Sequence, residues 1–312
     1  MDKLDSNILR ELTRNSRIPI TKLAKKLRSS REVVNYRISN LKKEGLILGF
    51  VTEIDLEKLG FIGAAVFINI KAEKEEEFRQ FIKNSPHVSW VAEHSGIWKF
   101  ILSIFGRNNK ELDDKFLQLY NTFKDAILDH KFILHKSSHF FYEKYFGELP
   151  SLVVKKKKFE YTLDKKDKII LKELSKNSRI TSVDLSNKTS ITIPAVLKRI
   201  KKLELAGYIK RYSIFVDLSK LNLFQYSIFI VNKKMEEKEK LISYLTQHPN
   251  VSFIAEYIGD PFLEFGLILR DPYELRKILQ GIEETFVHNK VIEISLFQKE
   301  FVSVGPPDCV FE

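Results

Sequence analysis

Leu4, Ile8, Leu9 and Leu12 recur at helical spacing behind Asp2 and Asp5, which predicts a first helix that Asn15-Ser16-Arg17 breaks. Ile20, Leu23, Ala24 and Leu27 predict a second, short helix, and Arg28-Ser29-Ser30 reads as a tight polar turn. Val33, Val34, Ile38 and Leu41 predict a third helix, capped by Ser29 or Ser30 and closed by Gly45. From Ile47 to Ile54 the alternation loosens to that of a strand. Three short helices with a tight turn before the third, then a strand, match a winged helix-turn-helix. Further on, strands are expected over 62–71, 88–93, 98–105 and 127–134, with helices over 73–83 and 109–124. That order, β-α-β-β-α-β, is that of a ferredoxin-like sandwich. Strand-forming residues from Phe140 to Phe146 extend it.

The whole pattern then occurs again. Residues 5–61 align without a gap on 167–223 at an offset of 162, and Asn15-Ser16-Arg17-Ile18 returns as Asn177-Ser178-Arg179-Ile180. Arg37-Ile38 returns as Arg199-Ile200, Gly45 as Gly207 and Asp55-Leu56 as Asp217-Leu218. A period this long marks a duplicated pair of domains. The fold class expected is α+β, in five segments. They are a winged helix-turn-helix over 1–50, a ferredoxin-like domain over 62–146 and a linker over 147–162. A second winged helix-turn-helix over 163–212 and a second ferredoxin-like domain over 223–304 follow. Pro150 and the run Lys155–Lys158 mark the linker. With the parts of a dimer in one chain, an intramolecular pseudo-dimer is expected, and remaining apolar faces leave a further homo-oligomer open.

Charge sharpens this picture. The chain of 312 residues carries a net +11. Residues 1–50 hold 12 basic and 5 acidic residues, and residues 155–212 hold 17 and 6, so everything else is net acidic at −7. Charge confined to the two helix-turn-helix segments points to a polyanion bound at both, namely double-stranded DNA. In copy one Arg31, Asn35 and Arg37 sit on the third helix, with Arg28 in the turn. Arg bonds guanine bidentately and Asn does so to adenine. The Ser29 and Ser30 hydroxyls suit phosphates. In copy two Arg28, Arg31 and Asn35 become Ser190, Ile193 and Leu197, while Lys188, Lys198, Arg199, Lys201 and Lys202 keep the positive charge and, with Thr192, are the expected DNA contacts. This copy suits phosphate contact or apolar contact with thymine methyls, so the two half-sites should not be read alike.

Other chemistries find little footing. The single cysteine, Cys309, excludes a disulfide framework and favours a reducing cytosol. The N-terminus lacks a signal peptide and the longest apolar run, Ile62 to Ile68, is too short to cross a bilayer, so no membrane partner and a cytoplasmic location are expected. His135 and His139 stand four apart in a strand-like stretch with no carboxylate or cysteine cluster to complete a metal site. There is no Gly-rich phosphate loop and no nucleophile elbow. No catalytic residue, metal or cofactor is expected.

Leu4-Asp5, Asn15-Ser16-Arg17, Leu23-Ala24, Ser30, Arg37-Ile38, Leu41 and Gly45-Leu46-Ile47, followed by an acidic β-α-β-β-α-β domain, together resemble the Lrp/AsnC family of feast/famine regulators. The resemblance covers nearly the whole chain, twice. It implies a sequence-specific transcription regulator whose second domain mediates assembly and commonly binds an amino acid. In the family the effector loop favours a glycine followed shortly by an acidic residue. Copy two offers Gly259, Asp260 and Glu264 there; copy one reads Ser95-Gly96-Ile97-Trp98-Lys99, with a lysine where an acid is common. The effector site is therefore expected around Gly259, Asp260 and Glu264. The resemblance also implies an alternative, because a related branch with the same two-domain plan decarboxylates siroheme with His and Arg side chains. His87, His94 and Arg107 are the candidates for that chemistry.

Overall fold

A computed structural model describes residues 1–147, 159–232, 234–302, 306 and 308–311; of residues 235, 301, 302, 308 and 309 it describes the backbone. Pro150, Lys155–Lys158 and the Cys309 side chain lie outside the described residues. Copy one runs α1 (Lys3–Arg14), α2 (Ile20–Lys26), α3 (Arg31–Lys43), β1 (Ile47–Ile54), β2 (Ile62–Ile70), α4 (Glu75–Asn84), β3 (Val88–His94), β4 (Phe100–Gly106), α5 (Asn109–Phe123) and β5 (Ile127–Phe140). Copy two repeats this as α6 (Lys165–Lys176), α7 (Ser182–Thr189), α8 (Ile193–Leu205), β6 (Ile209–Val216), β7 (Phe224–Asn232), α9 (Lys238–Gln247), β8 (Val251–Ile258), β9 (Leu263–Leu269), α10 (Glu274–Thr285) and β10 (Asn289–Val302).

The chain divides into two compact units, and neither is a copy. One unit joins the helix-turn-helix parts of both copies, the other their acidic parts.

In the first unit each opening helix starts with the same device. Asp2 and Asp5 form a capping box on α1, and Asp164 and Asp167 form one on α6, satisfying backbone donors that a helix start leaves open. Each third helix ends at a glycine with positive φ, Gly45 at 71° and Gly207 at 75°, where a side chain would be strained. The strand after it does not fold back as a hairpin wing. Instead β1 pairs antiparallel with β6, and Val51 lies opposite Ser213, its own counterpart. Ile47 opposite Val216 and Ile54 opposite Ile209 complete a symmetric register. The structural reason is the Asn-Ser-Arg motif. Asn15 and Asn177 accept the backbone N–H of Arg17 and Arg179 at 2.9 Å, which shapes the turn after each first helix. The Ser16 and Ser178 hydroxyls then meet at 2.5 Å. Ser16 N–H donates to the Tyr212 carbonyl and Ser178 N–H to that of Phe50. Arg17 donates to the Ser178 and Ile180 carbonyls, and Arg179 to that of Ser16. Each guanidinium also covers an aromatic ring of the opposite strand, Arg17 over Tyr212 and Arg179 over Phe50.

In the second unit, eight strands close a barrel in the order β10-β3-β4-β2-β5-β8-β9-β7. Each half is a ferredoxin-like sheet. The 14-residue strands β5 and β10 are long enough to finish their own sheet and then pair with the other, through β5–β8 and β10–β3. Copy one's strand thus runs on to Phe140 instead of ending near 134. The expected strand from Phe140 to Phe146 is a 3-10 turn from Tyr142 to Phe146. It turns there because Phe141 enters copy two's core and Lys144 donates to the Thr246 and His248 carbonyls at the end of α9. β2 is buried on both faces from Gly63 to Ile68, so it reads as a continuous apolar run. One face packs on α4 and α5 through Phe78, Ile82, Leu112 and Leu119, and the other joins Phe67, Ile101, Phe229 and Tyr257 in a layer between the two sheets. Each such buried side chain stabilises by about 1.5–3 kcal/mol.

Replacing Arg17 by Ala deprives the Ser178 and Ile180 carbonyls of a charged donor. A loss of about 2–4 kcal/mol of stability is expected, seen as a lower urea midpoint. Arg17→Ala with Arg179→Ala is expected to fall further than either variant.

Candidate nucleic-acid interface

The turn before α3 holds Arg28 in the left-handed region at φ 52°, and Ser190 has the same φ at the same place in copy two. For a residue with a β-carbon this costs on the order of 1 kcal/mol. The strain is kept twice, so the turn angle between second and third helix is a fixed feature of the unit. Of the two candidate caps, Ser30 is the one used, accepting from the Val33 N–H at 3.1 Å. Thr192 holds the equivalent position on α8 but makes no side-chain cap bond, and Pro194 fits the first turn, where a missing N–H costs nothing.

Val34, Ile38 and Leu41 face the core, which leaves Arg31, Asn35, Tyr36 and Ser39 on the outer side of α3. Arg28 and Ser30 are exposed at its start, with Ser29 half-buried beside them. Tyr36 is 64% exposed and was not among the expected contacts; its place one residue after Asn35 is the signal that could have shown it. On α8 the same outer positions carry Ile193 and Leu197, with Lys198 and Lys201 exposed next to them.

Two expected contacts are already engaged. Arg37 pairs with Asp2 at 2.7 Å and with Asp5 at 3.3 Å, and Arg199 pairs with Asp164 and Asp167, both at 2.8 Å. The hydrogen bond to buried Asp167 raises the Arg199 pKa. Tyr161 donates to the same Asp167, and burial together with that bond pushes its phenol up to about 12. Arg37 and Arg199 are therefore ties between third and first helix, set inside their copies, and not free reading groups. Lys188 pairs with Glu173 at 3.2 Å and Lys202 lies over the Tyr161 ring, which leaves Lys198 and Lys201 as the open cations of α8.

The expected effector residues are not brought together. Gly259 and Asp260 are exposed on the β8–β9 turn. Glu264 points instead into the layer between the sheets, where it is 3% exposed and accepts from Tyr257 at 2.5 Å and Ser227 at 2.7 Å. Alternation along β9 decides this, since Leu263 and Phe265 take the helix face. Ile101 holds the matching place in copy one, opposite Phe67 as Glu264 is opposite Phe229. Lys99 pairs with Glu75 at 3.2 Å.

The residues of the alternative chemistry are also apart. His94 faces the barrel interior against Phe297, with neither ring nitrogen bonded, and burial pushes its pKa down to about 3. His87 lies on the helix side, in a cleft of about 370 Å³ between α4 and α5 that Gln80, Asn84, Lys115 and Gln118 also line. Arg107 is exposed and covers the Phe61 ring. Among the described residues no three metal-ligating side chains cluster, and no helix is long and apolar enough to cross a membrane.

A paired, symmetric set of helix-turn-helix units with exposed cations on or beside both third helices defines a DNA-binding protein built as an internal dimer. The family described as winged helix-turn-helix DNA-binding matches residues 1–47 and 163–210. Over 149 residues the chain is 32% identical to an uncharacterized HTH-type transcriptional regulator of Pyrococcus furiosus, covering 46% of this chain and 96% of that protein. It is 35% identical over 97 residues to the HTH-type transcriptional regulator LrpC of Bacillus subtilis, covering 31% of this chain and 67% of LrpC. The chain belongs to the Lrp/AsnC family of transcriptional regulators, in tandem form. A crystal structure of the siroheme decarboxylase NirDL shares the fold over 99% of this chain and 97% of its own, with a TM-score of 0.63 and 14% identity. At that identity the likeness is one of fold.

Glu264 supplies a check on the interior. Burial raises its pKa to about 7, against the pull of the Tyr257 and Ser227 hydrogen bonds. In the unfolded chain the carboxyl ionises near 4.5, so between pH 4.5 and 7 the folded state holds the extra proton and stability falls as pH rises. Glu264→Gln removes that titration. Its Tm is expected to exceed that of the parent by a few degrees at pH 8, with the gap closing towards pH 5, in thermal melts across that range.

Proposed function

We propose that the chain binds duplex DNA through α3 and α8 as the two recognition helices of one internal dimer, and acts as a transcription regulator and not as an enzyme. The observation that carries this reading is the outer face of α3. Arg28, Arg31 and Asn35 stand free of the core, on a unit whose pseudo-two-fold pairing repeats the same turn and helix in copy two. Arg31 and Asn35 supply the groups that bond guanine and adenine edges in the major groove. Ser29, Ser30 and Thr192 hydroxyls, with Lys198 and Lys201, supply phosphate contacts. Against the enzyme reading, His87, His94 and Arg107 sit in three separate surroundings and offer no common substrate position.

Footprinting with the full chain tests the proposal. Two protected patches are expected on one face of the duplex, one helical turn or a multiple apart (~34–36 Å per turn), with affinity that falls steeply as salt rises. Absence of any protected site, with affinity indifferent to salt, overturns it. Arg31→Ala is expected to lose about 1–3 kcal/mol at a few base positions while leaving the Tm unchanged. Lys201→Ala should weaken all sequences alike. Arg37→Ala should do the reverse of Arg31→Ala, lowering the Tm first, because its partners are Asp2 and Asp5.

A further inference from the structure

The frames of the two helix-turn-helix copies agree closely. Both have the capping box on the first helix, the left-handed residue at φ 52° in the turn, the arginine tie from third to first helix and the glycine stop. What differs is the surface that the frame presents. Where α3 exposes Arg31 and Asn35, α8 exposes Ile193 at 40% and Leu197 at 51%, one helical turn apart and so on one side. Val183, near the start of α7, is 54% exposed. Lys198 and Lys201 flank this apolar pair and are exposed. An apolar strip bordered by open cations, on a segment of high positive charge, complements a surface that is anionic at its rims and apolar at points along its floor.

The major groove is such a surface. Its rims are phosphates, and the apolar group on its base edges is the 5-methyl of thymine. We propose that α8 reads its half-site through thymine methyls, with Ile193 and Leu197 as the specificity-determining residues, while α3 reads the other half-site by hydrogen bonds. The inference rests on the DNA-binding reading above and deepens it. It has a consequence for geometry: a pair of helices with unlike chemistry fits an asymmetric operator, so the chain binds in one orientation, which a true two-fold dimer does not do.

The test uses the full chain and an operator recovered by selection from random duplexes. Positions whose preference relaxes in Arg31→Ala mark the half-site under α3. Thymines are then replaced by uracil in one half-site at a time, which removes the methyl and keeps the base pairing and the O4 acceptor. Uracil under α8 is expected to weaken binding about 4-fold per contacted methyl, and uracil under α3 to leave it unchanged. Leu197→Ala and Ile193→Ala, whose exposure keeps the fold intact, are expected to bind the thymine operator more weakly and to lose the sensitivity to uracil. Retained binding that is indifferent to uracil in both half-sites overturns the inference and leaves the DNA reading standing. The inference is also overturned if Leu197→Ala keeps affinity and uracil sensitivity but changes self-association in sedimentation, because the strip then belongs to a contact between chains. Failure of every duplex to bind overturns the DNA reading, and the inference with it.

Discussion

The contact between Asn15-Ser16-Arg17 and Asn177-Ser178-Arg179 governs the helix-turn-helix unit. Two serine hydroxyls meet on the pseudo-two-fold axis, and each arginine crosses to the backbone carbonyls of the other copy. Burial lowers the pKa of both guanidiniums, the cost that a buried cation must offset with good bonds. Those bonds place Val51 opposite Ser213 and let β1 and β6 complete one another. Without this pairing each copy would carry one exposed strand with no partner, an edge that invites association with other chains. The unit takes its symmetry from this contact, and the placing of α3 relative to α8 follows from that symmetry.

Duplication inside one chain releases a constraint that a homodimer cannot escape. In a homodimer a substitution appears on both sides of the axis; here each side changes alone. The barrel shows the result. Tyr257, Glu264 and His135 form a polar group on one side of its interior, and His94, Ile101 and Phe297 occupy the matching positions on the other. The helix-turn-helix faces diverge in the same way, with arginine and asparagine on α3 against isoleucine and leucine on α8. The framing residues are alike in both copies: the capping boxes and arginine ties hold each copy's own helices, and the Asn-Ser-Arg turns join one copy to the other.

Charge has two uses in this protein, and burial separates them. Arg37 and Arg199 lie between helices with two carboxylates each, and Arg79 spans Glu75, Glu76 and Glu93 on the barrel. Such groups tie elements together and have little left to offer a ligand. Arg28, Lys198 and Lys201 are exposed, and exposed cations attract phosphate at a distance. Composition counts both kinds equally, so the net charge of a segment overstates its surface for DNA.

Much could be read in the chain directly. The repeat of 162, the order of elements, the helix stops at Gly45 and Gly207 and the duplicated domain plan follow from local spacing, which acts over a few residues. The outer faces of α3 and α8 could be read too, since helical periodicity separates Val34, Ile38 and Leu41 from Arg31 and Asn35. Partners distant in sequence were decided by tertiary structure. Periodicity placed Arg37 on the third helix but could not show that Asp2 and Asp5 would reach it from the first. It placed Glu264 next to Asp260 in sequence, yet strand alternation against a second sheet turned one carboxyl inward and left the other in solvent. It marked Asn15-Ser16-Arg17 as a helix break, while the use of that break is a contact with its own copy 162 residues away. Local patterns specify elements and faces because their physics is local. Pairing across long separations depends on which surfaces burial brings together, and that is settled when the fold closes.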